Sequence, residues 1–129
     1  MAIRTRKLKI DSPSKPVSDQ IRSSDLDRQQ YLYLTTRGRK SGNPREIEIW
    51  FTHRDGRFYV IAEYETAHWL QNLRAHPEVQ VRVASYKFHA HARVLSPQAD
   101  ADLHHAVQEL SRKKYGWGDG IIVELEAIS

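Results

Sequence analysis

The sequence contains no cysteine among its 129 residues. This absence excludes a disulfide framework, a thiol nucleophile and a cysteine-ligated zinc site. No apolar run approaches the roughly 20 residues that cross a bilayer, and the start of the chain lacks the apolar core of a signal peptide. We therefore expect a cytoplasmic protein without integral membrane contact.

The glycine motifs of the common nucleotide-binding folds are also missing. The chain has six glycines, but none has the spacing of a P-loop or of the Rossmann dinucleotide-binding pattern. No Gly-x-Ser-x-Gly elbow surrounds Ser41. These absences argue against a nucleoside triphosphatase, a doubly wound dehydrogenase and a serine hydrolase, and the sequence identifies no catalytic acid, base or nucleophile.

Seven histidines are present, yet their spacing does not favour a metal site. His89 and His91 share one face of a predicted strand, and His104 and His105 are adjacent on a predicted helix. A metal site needs three or four converging ligands, and neither pair has the His-x-x-x-His helical spacing. We expect no metal and interpret these residues as solvent-facing or hydrogen-bonded.

The most informative segment is a basic turn between two predicted strands. Arg37, Arg39, Lys40 and Arg45 surround a stretch rich in Gly, Ser and Asn, which allows close backbone approach to a ligand. The four cations repel one another unless an anion is bound, and a turn alone needs no such charge. The segment predicts a phosphorylated ligand, although a turn that merely keeps the surface charged remains the alternative.

The positive charge of the chain is local. Residues 1–45 contain 11 Lys or Arg and four Asp, a balance of +7, so the remainder carries −3 of the net charge of +4. Charge focused near one turn suits a small anionic ligand better than nucleic acid, and the aromatic residues form no recognised nucleic-acid motif. We expect a small-molecule substrate and no nucleic-acid partner.

Composition divides the chain into two parts. Residues 1–29 are rich in charged residues, Ser and Pro, which predicts a flexible or helical N-terminal arm in which residues 17–26 could become helical on docking. Residues 30–129 have the patterns of a folded domain. Six β-prone segments are followed or interrupted by two helices, a short one at 66–75 and a longer C-terminal one that follows the Ser96-Pro97 pair and ends near 114. The six predicted strands are 31–36, 45–53, 58–64, 79–84, 88–95 and 121–128.

Short strands with close connections, such as the Asp55-Gly56 turn, favour an antiparallel barrel or roll. The predicted class is therefore mainly β with α, with six antiparallel strands. The order and spacing of several motifs also carry a family resemblance. These motifs are Leu34-Thr35-Thr36-x-Gly38-Arg39-Lys40-Ser41-Gly42-x-Pro44-Arg45, then Asp55-Gly56, then Trp69-x-x-Asn72-Leu73-x-Ala75-x-Pro77-x-Val79. The chain resembles the deazaflavin-dependent nitroreductase family over roughly residues 32–95.

The resemblance implies a split β-barrel that binds F420, with FMN as the alternative, and a homodimer that shares its cofactor groove. Carried over by position, the cofactor-binding residues would be Arg39, Lys40, Ser41 and Arg45 for the phosphate and acidic tail, and Trp50, Ile61 and Ala62 for the deazaflavin ring. Candidates for the substrate wall are Tyr64, Trp69 and Trp117. Trp69 and Trp117 have core packing as the alternative interpretation.

The chain departs from the family pattern after the third predicted strand, where Glu63 and Glu65 stand. The two carboxylates could face solvent, or they could disfavour a long polyglutamate tail and favour FMN. We predict an oxidoreductase that transfers a hydride between reduced F420 or FMN and a small quinone-like, enone or nitroaromatic acceptor. The alternative is a noncatalytic carrier or sequestering protein for a flavin-like, tetrapyrrole or fatty-acid ligand.

Overall fold

The computed structural model describes residues 3–4 and 23–128. The strands and helices of this part of the chain are β1 Ile3–Arg4, α1 Ser23–Arg28, β2 Tyr31–Arg37, β3 Pro44–Trp50, β4 Thr52–Arg54, β5 Arg57–Ala62, α2 His68–Ala75, β6 Glu78–Val83, β7 Tyr86–Val94, α3 Ala101–Tyr115 and β8 Ile121–Ala127. The strands form one sheet in the order β1-β3-β2-β6-β7-β8-β5-β4. Every neighbouring pair is antiparallel.

The predicted class, mainly antiparallel β with helices, is confirmed, but the prediction of six strands was too low. The second predicted strand, 45–53, is divided into β3 and β4 at Phe51. Its backbone N–H donates to the Tyr115 hydroxyl at 3.0 Å, and its carbonyl accepts from Lys114 Nζ at 3.1 Å. Because side chains of α3 satisfy the Phe51 backbone, the strand can bend there without leaving polar groups unpaired.

Most of the predicted N-terminal arm, residues 1–2 and 5–22, lies outside the described residues. Two parts of it are described. The two-residue strand β1 pairs with β3, with Ile3 opposite Ile49. Helix α1 begins at Ser23, near the end of the segment expected to be helical, and its Leu26 is only 4% exposed in the main core.

Strand periodicity places the core on one face of β2. Leu32, Leu34 and Thr36 are buried and alternate with half-buried residues, as expected when successive side chains point to opposite faces of a sheet. Thr36 is opposite Arg45 in the register with β3, so Arg45 begins on the same face as this buried row. The end of the β2–β3 hairpin therefore places a cation at the margin of the core.

The two predicted helices are present with shifted starts. Helix α3 begins at Ala101 rather than directly after Ser96, because Ser96 Oγ accepts from the backbone N–H of Gln98 and Ala99 and closes a separate turn first. Its end agrees with the expectation, since Gly116 follows with φ of 79°. Among the helices of residues 23–128, none is long and apolar enough to cross a membrane.

Candidate functional site

The basic turn between β2 and β3 is closed by its own backbone. Gly38 N–H donates to the Asn43 carbonyl at 2.8 Å, and Gly42 N–H donates to the Gly38 carbonyl at 2.8 Å. Gly42 has φ of 76°, which disfavours a side chain. A Cβ at Gly38 would lie 2.6 Å from Ser41 Oγ and 3.3 Å from the Asn43 carbonyl, so a side chain at this position would displace Ser41.

This turn forms one wall of an open groove of about 970 Å³, and the N-terminal half of α2 forms the other. A volume of this size is at the upper end of what small-molecule sites occupy, roughly 300–1,000 Å³. The lining includes four residues predicted to bind cofactor and one predicted to contact substrate, and these are Arg39, Lys40, Ser41, Arg45 and Trp69. Residues 36–47 and 67–72 therefore converge on one site.

The cations of the groove fall into two kinds. Arg39 is held from both sides: its Nη1 donates to Asn72 Oδ1 at 2.8 Å, and its Nη2 lies 3.3 Å from His68 Nδ1. Lys40 and Arg45 are exposed, and their side chains have no hydrogen-bond or ion-pair partner among the described residues. The lining also contains one carboxylate, Glu46, so the groove keeps an excess of positive charge. Such an excess at an open surface favours binding of an anion.

Asn72 connects the groove to the core. It is 4% exposed, and its Nδ2 donates to the hydroxyl of buried Thr36 at 3.2 Å. Its Oδ1 also accepts from the backbone N–H of Arg39 at 3.2 Å, in addition to the guanidinium. One buried amide thus connects β2, the basic turn and α2.

Comparison with known protein families gives a match over most of the chain. The sequence profile of the F420H(2)-dependent quinone reductase family matches residues 17–119, which is more than half of the chain. The chain belongs to this family. Membership implies F420 as the cofactor and confirms the resemblance to deazaflavin-dependent reductases.

Several solved structures share the fold of this chain. An F420-H2 dependent reductase (FDR-A) superposes with a TM-score of 0.63 at 20% identity, covering 75% of this chain and 94% of that chain. A domain-swapped dimer gives 0.63 at 21%, covering 75% and 80%. The heme storage protein HutZ from Vibrio cholerae gives 0.57 at 16%, covering 82% and 87%. The split-barrel fold predicted for this family member is confirmed.

Three of the predicted site residues lie together, but away from the groove. Trp50, Ile61 and Trp117 line a cavity of only about 10 Å³ beside α3. Such a cavity accommodates nothing larger than a water molecule. Trp50 stacks on Tyr115 with ring centroids 4.5 Å apart, so packing accounts for its position.

Ala62 and Tyr64 lie at neither cavity. Ala62 is fully buried in the core, and its carbonyl would be 2.4 Å from a Cβ placed on Gly120. Tyr64 is 65% exposed on the loop between β5 and α2. The assignment of Ala62, Tyr64 and the three residues beside α3 to ligand contacts stays a prediction.

Sequence reasoning assigned no role to His68 or Asn72, although both line the groove. A helical signal was available, because residues three and four apart share one helix face. His68 precedes Asn72 by four residues and Trp69 precedes it by three. Helical spacing therefore places all three on the face of α2 that contributes to the groove.

Two half-buried ionisable groups, Lys114 and Tyr115, lie at the C-terminal end of α3, away from the groove. Burial lowers the pKa of Lys114 to about 8, against a smaller opposing effect of Asp27. Burial also raises the pKa of Tyr115, whose hydroxyl lies 2.6 Å from the Gln30 carbonyl. These groups fasten α3 to the strand break at Phe51 and to the start of β2, which is a structural role.

Proposed function

We propose that this protein is an oxidoreductase that binds reduced F420 in the groove between the basic turn and α2 and transfers a hydride from it to a small quinone-like, enone or nitroaromatic acceptor, which oxidises the F420. The observation that supports the proposal most strongly is the placement of Arg39, Lys40 and Arg45 on one groove of suitable volume. F420 carries a phosphate and an acidic tail, which are the groups that such cations bind.

The groove residues fit a ligand that is anionic at one end and flat at the other. Cations and Ser41 line the turn side, while Ile47 and Ala67 supply half-buried apolar surface nearby. Trp69 also lines the groove, but it is only 6% exposed and packs in the main core, as the alternative interpretation of this residue expected. When bound, F420 would supply the hydride chemistry, so the protein needs no nucleophile of its own. The part of these residues is to neutralise ligand charge and to fix the orientation of the bound molecule.

A titration of fluorescence with F420, run in parallel with FMN, tests this proposal. The variant Arg39→Ala/Lys40→Ala removes two charges from the groove, and Arg54→Ala/Lys113→Ala removes two exposed charges elsewhere as a matched control. Each lost charge-assisted hydrogen bond costs about 1.5–3 kcal/mol, so the groove variant should bind F420 at least about tenfold more weakly. Equal affinity in both variants would remove the phosphate site, and binding of FMN alone would move the protein to the flavin alternative.

A noncatalytic carrier is the second candidate. The fold similarity to a heme storage protein supports it, because the same barrel serves storage there. A carrier for a flavin-like, tetrapyrrole or fatty-acid ligand would bind tightly without consuming reduced F420 when quinones, enones or nitroaromatics are added. Turnover with any of these acceptors excludes it.

We further propose a homodimer. The support is a structural relative described as a domain-swapped dimer. Sedimentation or native mass spectrometry of the full chain measures the mass of the particle in solution, which should be twice that of the chain. A monomer at the concentrations used for activity would overturn this part of the proposal.

A further inference from the structure

We propose that Asn72 is a positioning residue, which holds the Arg39 guanidinium in a fixed orientation so that its remaining N–H groups face a ligand oxyanion. The inference deepens the proposed function, since it takes the groove as the anion site. In this arrangement the buried amide of Asn72, on α2, controls the orientation of Arg39, on the basic turn.

The geometry around Asn72 Oδ1 carries the inference. This oxygen accepts two hydrogen bonds from Arg39, one from the backbone N–H at 3.2 Å and one from Nη1 at 2.8 Å. The two residues are 33 positions apart in sequence. A single acceptor thus fixes both the backbone and the head group of the same arginine, which restricts the long side chain between them.

Asn72 is itself held in place. Its Nδ2 donates to Thr36 Oγ1, and both residues are almost fully buried. Rotation of the amide would turn Nδ2 toward the Arg39 N–H groups and leave these donors without an acceptor, whereas the Thr36 hydroxyl could donate to the amide oxygen instead. The orientation of Oδ1 is therefore set by contacts within the protein and not by the ligand.

The guanidinium keeps free donors after these contacts are made. Arginine has five N–H groups and no acceptor, so His68 Nδ1 must accept where it lies 3.3 Å from Nη2. Asn72 and His68 together engage one N–H on each terminal nitrogen, which leaves the other terminal N–H groups and Nε–H for an oxyanion. An arginine oriented before binding loses less side-chain entropy when the ligand arrives.

Lys40 and Arg45 provide the contrast. Neither side chain has a partner among the described residues, so both must be ordered by the ligand. The structure thus pairs one oriented cation with two unanchored ones. Replacement of Arg39 by Lys keeps the charge but cannot reproduce the planar contacts with Asn72 and His68, so Arg39→Lys should weaken binding, whereas Lys40→Arg should not.

The first test needs no ligand. The heteronuclear NOE of the Arg39 Nε–H group in the full chain reports its mobility on the ps–ns timescale. The wild type should have an ordered Arg39 Nε–H and a mobile Arg45 Nε–H, and Asn72→Ala should make Arg39 as mobile as Arg45. An Arg39 that is mobile in the wild type, or equally ordered in Asn72→Ala, would overturn the inference.

The second test measures binding of inorganic pyrophosphate and F420 to Asn72→Ala, Arg39→Ala and the double variant. We expect each single variant to bind about tenfold more weakly, and the double variant to be no weaker than Arg39→Ala, as in a double-mutant cycle of coupled residues. Additive losses would overturn the inference. If Asn72→Ala does not fold, Asn72→Asp replaces it in the NOE measurement, because the carboxylate keeps the acceptor for Arg39. Arg39 should then stay ordered, and a mobile Arg39 in Asn72→Asp would count against the proposal. Failure to bind F420 while pyrophosphate binds would reject the cofactor assignment and leave the positioning role to be decided by the NOE.

Discussion

The carboxylate of Glu65 forms an ion pair with the guanidinium of Arg74 on α2. The same residue is held a second time, because Gln71 Nε2 donates to the Glu65 carbonyl at 2.6 Å. The loop between β5 and α2 is thereby attached to the helix, and the charge of Glu65 is balanced locally. A locally balanced Glu65 should not repel the polyglutamate tail of F420.

We expect the double variant Glu65→Gln/Arg74→Gln to leave the preference for F420 tail length unchanged. The two charges form a neutral pair, so removal of both changes the field at the groove little. Titration with F420 carrying short and long polyglutamate tails measures this, with Lys40→Gln as the comparison variant that should weaken the long-tail ligand. A selective gain for the long tail in the double variant would show that Glu65 repels the ligand despite its partner.

Substitution of Gly38 should weaken ligand binding through the shape of the turn. A Cβ at Gly38 would lie 2.6 Å from Ser41 Oγ and 3.3 Å from the Asn43 carbonyl. Gly38→Ala must therefore displace Ser41, and we expect F420 affinity to fall severalfold. The double variant Gly38→Ala/Ser41→Ala removes the closer clash and should be better folded than Gly38→Ala, as measured by its thermal midpoint. Wild-type affinity in Gly38→Ala would contradict this view of the turn.

Glu124 should matter far more for stability than its neighbour Glu126. Glu124 is 4% exposed and accepts from the Tyr59 hydroxyl at 3.1 Å and from Arg93 Nε at 3.3 Å. Burial of Tyr59 raises its pKa to about 12, and the negative charge of Glu124 adds to this increase. Glu124→Ala leaves the Tyr59 hydroxyl without its buried acceptor, at a cost of about 1–3 kcal/mol. Glu126→Ala removes an exposed ion pair with Arg57, worth about 0–1 kcal/mol. Equal urea midpoints for the two variants would be inconsistent with this network.

Stability should rise with pH above neutrality because of Lys114. Burial lowers its pKa to about 8 in the folded state, below the ordinary lysine value of 10.5. Between these two values the unfolded chain binds the extra proton, so the free energy of unfolding increases from pH 8 toward pH 10.5. As the pH falls from 10.5 to 8, this contribution is lost, and below pH 8 both states carry the proton.

The variant Lys114→Met should flatten the rise, while Lys113→Met, at an exposed position beside it, should retain it. Urea unfolding at several pH values between neutrality and pH 10.5 measures both slopes. Parallel slopes in the two variants would assign the pH dependence to other groups.

Local chemistry made much of the fold predictable. Asp55 and Gly56 have positive φ values of 49° and 78°, as the sequence of a tight hairpin turn predicts. Gly116 likewise ends α3 in the left-handed conformation. Such features depend on a few adjacent residues, so they can be inferred without knowledge of the tertiary structure.

Contacts between distant residues were not predictable in the same way. The strand break at Phe51 depends on Tyr115, which is 64 positions away. The orientation of Arg39 depends on Asn72, which appears in the sequence only as one member of a motif. The cations were found because they are adjacent in one turn, whereas the amide that holds one of them belongs to another element.

The most direct test of the central claim is stopped-flow oxidation of reduced F420 by a quinone in the presence of wild-type protein and of Arg39→Ala/Lys40→Ala. The account predicts saturable, catalysed oxidation by the wild type, with the variant requiring at least about tenfold more reduced F420 for half-saturation, because two phosphate-binding charges are lost. An oxidation rate equal to the uncatalysed rate, despite bound F420, would contradict the enzyme assignment and favour a carrier.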